Sequence, residues 1–312
     1  MPKISLPIVV TPTRVELGLR CYRRHVLADV LQRARYFSPS LEFGSVVHAG
    51  AAAWWKNADV DGDVARPRAV HATTQEWNKR FEQNPSVSQK DLSLDLAVAM
   101  IESYTKNADM RGPFALESGD WQFVTVEDRL LIPLVGGYKL SFQTDRVVYN
   151  KTNAHLVIVD SKTAARLDKK WERQWETSLQ MKLYKAGAAK AYDFEVDQVD
   201  VVVEGILKDI PSDVRYVPCP DWSEAVLQEA VGQAIHIAKR DEALITDSES
   251  GLPRDLRYIE EDAVNKTALN YQSCYEYGVE CAFRRLCTAE PDERVAILNA
   301  EYFEIPEADS GY

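Results

Sequence analysis

The 312-residue chain reads as an α/β protein built around a mixed sheet. Three observations predict this. Apolar residues recur at helical spacing through the first third, and the period becomes strand-like at about residue 121. The apolar run "VDVVVEGILK" then returns after a long helical stretch, as a parallel strand reached by a helical crossover requires.

The elements follow in order. "LGLRCYRRHVLADVLQRARY" and "SLEFGSVVHAGAAAWW" carry helix-spaced apolar residues, with Ser40 placed as the N-cap of the second. Helical patterns around 73–83 and 89–106 complete a helical region. "RLLIPLV" and "YKLSFQTDRVVY" predict a hairpin, because Gly136-Gly137 between them supplies the positive φ angles of a two-residue turn. After the polar "NKTNA" comes a strand over 155–162. A helix over 172–190, the strand "VDVVVEGILK", a helix over 222–242, a Ser/Gly/Pro-rich loop at 247–254 and a cysteine-bearing segment complete the chain. The expected organisation is a helical region over 1–118, an α/β core over 119–245, and a C-terminal cysteine segment with an acidic tail over 246–312. The core runs helix, three-strand meander, helix, strand.

A hydrophobic content of 46% supports a sizeable core. No stretch approaches the roughly 18 uninterrupted apolar residues of a membrane span, and "ISLPIVV" near the start lacks a small-residue cleavage site, so a cytoplasmic protein without membrane contact is expected. The net charge of -11 disfavours a polyanion partner, yet residues 1–36 carry seven Lys and Arg against two acids. Arg20, Arg23 and Arg24 therefore offer either a nucleic-acid contact or an ordinary solvated helix face.

Polar residues gather at the strand tips. If "KTNA" closes its hairpin symmetrically, Asp145 lies directly opposite Asp160, where Cβ atoms stand about 4.5–5.5 Å apart and like charges destabilise the pair. Lys162 shares that face, since strand side chains alternate. A divalent cation between the acids would make sense of the arrangement, because hard cations such as magnesium and manganese take carboxylate oxygens. Alternatively, Asp145 pairs with Arg146 or another base, and Asp160 with Lys162 as a salt bridge. Gln180 and Tyr184, four apart on one helix, form a polar pair facing the strand end. His48, in an apolar helix, is either a core histidine or a ligand.

Three cysteines fall in "SCYEYGVECAFRRLC", at Cys274, Cys281 and Cys287. A tetrahedral or cubane site needs a fourth thiolate, and Cys21 is the better candidate. Cys219, between Pro218 and Pro220, is a structural thiol.

The array Gly44-Ser45-Val46-Val47-His48, Asp145, Asp160-Ser161-Lys162 and Gln180-x-x-x-Tyr184 resembles the PD-(D/E)XK nuclease superfamily, specifically its RecB-like exonuclease branch, over roughly residues 40–208. The resemblance implies a restriction-endonuclease-like core that hydrolyses DNA phosphodiesters, at single strands or ends, with Mg2+ or Mn2+. Asp145, Asp160, His48 and the Ser161 carbonyl would hold the metal. Lys162 would orient or deprotonate the attacking water, and Gln180 and Tyr184 would position the substrate or support Lys162. The acid before the lysine is Asp rather than the commoner Glu. The branch also implies a 4Fe-4S clasp on Cys21, Cys274, Cys281 and Cys287, although six residues rather than two separate the first pair and Gly278 stands where a cysteine would fall; zinc is the alternative. Recombination or CRISPR adaptation proteins would be the partners. A non-catalytic DNA-binding module of the same fold is the competing function. An iron-sulfur redox enzyme lacks support, since no G-x-G-x-x-G follows a strand.

Overall fold

The structure is a computed structural model that describes residues 8–34, 39–57, 61–82, 92–111, 120–247, 254–267, 270, 274–276 and 279–304. The expected loop at 247–254, the beginning of the 89–106 helix, Gly278 and the end of the acidic tail lie largely or wholly outside these residues. The chain divides into two compact units. One comprises Met1–Tyr36, Leu131–Phe142 and Gln228–Tyr312, the other Phe37–Leu130 and Gln143–Leu227.

The first unit starts with strand β1 (Val9–Val10) and helix α1 (Pro12–Arg20). Thr11 caps α1 by accepting from Arg14 N, and Pro12 occupies a first-turn position where a missing N–H costs nothing. The single helix suggested by "LGLRCYRRHVLADVLQRARY" is in fact broken at Cys21, whose extended backbone (φ −153°) ends α1 before a short turn over Tyr22–His25.

The second unit carries the helical layer α2 (Pro39–Trp55), α3 (Gly62–Trp77) and α4 (Leu94–Arg111). Helix α2 begins at Pro39, so Ser40 lies in its first turn rather than at its cap. Phe43, Val46, Val47, Trp54 and Trp55 bury one side of α2 against Ala65 and Ala69 of α3 and Met100, Ile101 and Tyr104 of α4. The approach is close enough that a Cβ on Gly50 would meet Ile101 at 2.7 Å, so only glycine fits there.

The sheet follows: β2 (Trp121–Pro133), β3 (Lys139–Asn150) and β4 (His155–Ala164) form the meander. Gly136 and Gly137 take φ +87° and +84°, but Leu134 N donates to the Tyr138 carbonyl, so the turn encloses three residues, 135–137, rather than the expected two. Strands β3 and β4 pair antiparallel from Arg146↔Val159 to Asn150↔His155, the expected register. Asn150 and Asn153 accept from Thr152 N and His155 N, so the loop's own side chains fix that register.

The expected 172–190 helix begins later. A short helix over Lys169–Arg173 and a 3-10 turn precede Ser178, which caps α5 (Leu179–Tyr192) by accepting from Met181 N. The crossover then delivers β5 (Val199–Leu207) parallel to β4, and β6 (Val214–Pro218) closes the edge. Sheet order is β1-β3-β4-β5-β6, with β2 on β3. This is the expected mixed α/β architecture. Helices α6 (Glu224–Ile245), α7 (Leu256–Asn265) and α8 (Arg294–Glu301) complete the chain. Among the described residues, no helix is long and apolar enough to cross a membrane.

Candidate active site

The pairing of β3 with β4 and the packing of α2 over the sheet bring five of the predicted residues together. Ser161 N donates to Asp145 Oδ2 at 2.5 Å, which ties the first acid to the strand that carries the second. His48 of α2 places Nδ1 3.3 Å from Asp145 Oδ1. Lys162 Nζ forms a salt bridge with Asp160 Oδ2 at 2.7 Å, the pairing that the sequence left as the alternative. Asp160 is 3% exposed. On α5, Gln180 Nε2 donates to Tyr184 Oη at 2.8 Å, the polar pair expected from their spacing.

Electrostatics separate the two acids. Burial opposes ionisation of Asp145, but the His48 imidazole, Lys162 and the Ser161 N–H outweigh it and hold Asp145 below the usual carboxylate range. Burial raises Asp160, and the neighbouring Asp145 charge adds to this against the pull of Lys162. Burial would lower His48, yet the Asp145 carboxylate lifts it. The two acids of one site, Asp145 partly exposed and Asp160 buried, therefore titrate apart, as acid pairs sharing a charge do.

A clamp that sequence reasoning missed underlies these residues. Arg146, adjacent to Asp145, directs Nη2 and Nη1 to Glu204 Oε1 and Oε2 at 2.7 and 3.0 Å, a bidentate pair buried on both sides. Ser161 Oγ donates to Glu204 Oε2 at 2.6 Å, Tyr104 Oη to both Glu204 oxygens at 3.1–3.2 Å, and the guanidinium sits 4.4 Å from the Trp55 ring centroid. Arg146 is thus the partner of Glu204 rather than of Asp145. The one signal for it was a charged residue at each of two inward positions of apolar strands.

A small cavity opens here, lined by His48, Trp55, Glu127, Asp145, Arg146 and Ser161 among others. Glu127 was also missed, because "VTVEDRL" alternates without marking which polar residue turns inward. Burial and the nearby Asp145 charge raise its pKa.

Among the described residues, no group of three or more His, Cys, Asp or Glu side chains is placed to hold a metal ion. Magnesium keeps several waters and binds through one or two carboxylates. Asp145 and Asp160, brought together through the Ser161 N–H, supply that number.

The predicted nucleic-acid contacts fare unequally. Arg20 is exposed and Arg24 partly buried. Arg23, expected on a DNA path, is instead 4% exposed, its Nη2 donating to the Thr267 carbonyl at 2.9 Å, because the side chain is long enough to reach a buried carbonyl from α1's end. Trp54 and Trp55 lie in the core. Cys21, Cys274 and Cys287 are buried and Cys281 is partly so. Burial raises the Cys274 and Cys287 thiols, Cys287 to about 11, and nearby Cys21 and Cys281 contribute to both shifts.

The family model of the PD-(D/E)XK nuclease superfamily matches residues 9–288. The chain belongs to that superfamily. Superfamily nucleases generally use divalent metals such as Mg2+ or Mn2+. Among solved structures, a protein from Eubacterium rectale described as a "Putative exonuclease" is 15% identical, with 74% of this chain and 80% of that one covered at a TM-score of 0.45. SSO0001 is 13% identical, with 75% and 78% covered at a TM-score of 0.33. No curated protein matches. The Asp160-Ser161-Lys162 triplet of this nuclease stands at the end of β4.

Proposed function

We propose that this nuclease is a Mg2+- or Mn2+-dependent DNA exonuclease of the RecB-like branch, acting on single strands or ends in recombination, viral DNA processing or CRISPR adaptation. The observation that carries the site is the junction of Asp145 and Asp160 through the Ser161 N–H, with His48 and Lys162 beside them.

Asp145, Asp160, the Ser161 carbonyl and His48 would hold the cation. Bound there, it would activate water and offset charge on the scissile phosphate. The chain's residues do the rest. Lys162, ion-paired with Asp160, would donate to the attacking water and fix its line toward phosphorus. His48 neutralises part of the Asp145 charge and holds that carboxylate in one orientation. Tyr184, held by Gln180, presents a hydroxyl to the substrate strand. Arg20 and Arg24 contact its backbone.

The cysteine segment is proposed to hold a 4Fe-4S cluster on Cys21, Cys274, Cys281 and Cys287, with zinc as the alternative. The sequence pattern supports it. Its role is to clasp the first and last parts of one unit, adding ligand-binding energy to folding. The 1–118, 119–245 and 246–312 organisation is retained as the functional division.

The test is degradation of labelled single-stranded and duplex DNA with manganese. Asp160→Ala and Lys162→Ala should each lower the rate by about a hundredfold or more, and unchanged rates would remove the site. Metal-independent DNA binding without cleavage would favour the non-catalytic module. Anaerobic purification with iron, sulfide and zinc analysis decides the clasp.

A further inference from the structure

The crossover that leaves β4 just after Lys162 lays an aromatic side chain against the sheet. Lys162 and Gly205 are paired directly in the parallel β4–β5 ladder, so both point to one face of the sheet, which Asp160 shares by alternation. Gly205 has no side chain there, and other residues fill the space. A Cβ on it would stand 2.8 Å from Trp171 Cζ2 and 2.5 Å from Leu167 Cδ2, with Trp171 Cη2 also in contact. A glycine inside a strand often marks such a close approach. The Trp171 indole thus rests, by the Cη2–Cζ2 edge of its ring, on the strand position next to Lys162, and neighbouring strands lie about 4.7–4.9 Å apart.

The segment that carries Trp171 is tied down. Asp168 accepts from Trp171 N at 2.9 Å, Glu172 pairs with Arg215 of β6 at 2.6 Å, and Trp222 Nε1 donates to the Glu176 carbonyl at 3.3 Å. Trp171 and Trp175 meet edge to face, with ring centroids 5.6 Å apart and planes at 77°. Held in this way, both indoles still keep part of their surface in solvent, and no residue of Lys169–Arg173 is buried. Tryptophan is highly buried on average, so a fixed, half-buried pair beside Lys162 has surface left for a ligand, and little ordering entropy is lost when the ligand binds.

Charge narrows the ligand. Arg166, Lys169, Lys170 and Arg173 are exposed along the same segment, whereas two of its acids, Asp168 and Glu172, are engaged in the cap and in the pair with Arg215. In a chain of net charge -11, aromatic surface flanked by four exposed bases suits a ligand that joins flat rings to phosphates. A base inside a duplex has both faces covered by its neighbours, so an indole can stack only on an unpaired or terminal base. We propose that the Trp171 indole, supported by Trp175, stacks the nucleobase adjacent to the scissile phosphate, so that the site takes single-stranded DNA in preference to paired duplex. The inference rests on the nuclease reading of the Asp160 and Lys162 site and names the strand form which that site receives. Every base has a π-face, so the preference is independent of sequence.

The test is fluorescence anisotropy of labelled oligonucleotides with the full-length protein in EDTA, which reads binding without cleavage. Wild type should bind a mixed-sequence single strand more tightly than a blunt duplex of equal length, and should bind a fully abasic strand, which keeps the phosphates and lacks the bases, more weakly. Trp171→Ala should weaken single-strand binding by about fivefold to a hundredfold, leave duplex binding unchanged and remove most of the abasic penalty. Trp171→Leu, which fills the Gly205 hollow without a ring, should behave as Trp171→Ala, whereas Trp171→Phe, which retains a stacking ring, should keep most of the affinity. A structural role alone would weaken single-strand, duplex and abasic binding alike, and that result would overturn the proposal, as would wild-type single-strand affinity in Trp171→Ala or equal affinities of the Leu and Phe variants. None of these results touches the nuclease site, which stands or falls on cleavage by Asp160→Ala. A wild type that binds no single strand would overturn this proposal and the nucleic-acid reading together.

Discussion

Removing Glu204 should expose how much the buried clamp contributes. The Glu204 side chain is 0% exposed and receives Arg146 through two nitrogens, Ser161 through its hydroxyl and Tyr104 through its phenol. Glu204→Ala leaves the Arg146 guanidinium, 1% exposed, without the carboxylate that receives two of its nitrogens. Breaking a buried ion pair by deleting one partner costs about 3–5 kcal/mol. Two further donors lose an acceptor at about 1 kcal/mol each, offset in part by water entering the space. The expected loss is therefore about 4 kcal/mol, read as a lowered urea midpoint. Replacing both partners, as Arg146→Met with Glu204→Leu, should recover most of that loss, because apolar substitutes for a buried pair are often neutral or better. Cleavage should remain depressed in the double variant, since Ser161 loses the contact that fixes it between Asp145 and Asp160. A Glu204→Ala loss below about 1 kcal/mol, or a double variant with wild-type cleavage, would refute the clamp.

Two further outcomes are expected. His25 is buried with Nδ1 2.9 Å from Asp29 Oδ2 and Nε2 2.9 Å from Asp241 Oδ2; burial lowers its pKa, but these two carboxylates raise it to about 9. A folded pKa above the unfolded value of about 6.5 gives stability that is fully present below that value and lost as pH rises toward 9, by roughly 3 kcal/mol in all. His25→Gln should flatten the urea midpoint between pH 6.5 and 9, and an unchanged slope would remove His25 as its source. Gly50→Ala drives a methyl into Thr73 and Ile101 between α2, α3 and α4, so it should cost about 1–3 kcal/mol in thermal or urea unfolding, and a neutral result would show that the helices shift apart freely.

What the chain determines by itself is local. Symmetric closure of the "KTNA" loop, with Asn150 and Asn153 bonding into it, sets the β3–β4 register from Arg146↔Val159 to Asn150↔His155, and one further pair in that register joins Asp145 and Asp160. The spacing of four sets the Gln180–Tyr184 pair. These are legible because the partners are joined by one turn or one helical repeat, so their geometry follows from backbone periods. Helix breaks at Cys21 and before Ser178 were less legible, because neither carries a proline or glycine to announce it.

Only the tertiary structure decided which charges meet. Arg146 had Asp145 as its neighbour in sequence, yet it pairs with Glu204, 58 residues away, because the parallel crossover sets β5 beside β4 and turns both charges to one buried face. His48 reaches Asp145 because α2 packs over the sheet. Arg23 is spent on Thr267 rather than left for a ligand. Glu127 lines the cavity from a left-handed backbone position (φ +58°), which an alternating sequence does not announce. Side-chain period is written along the chain, whereas the partner of a buried charge depends on which distant strand or helix the fold places against it.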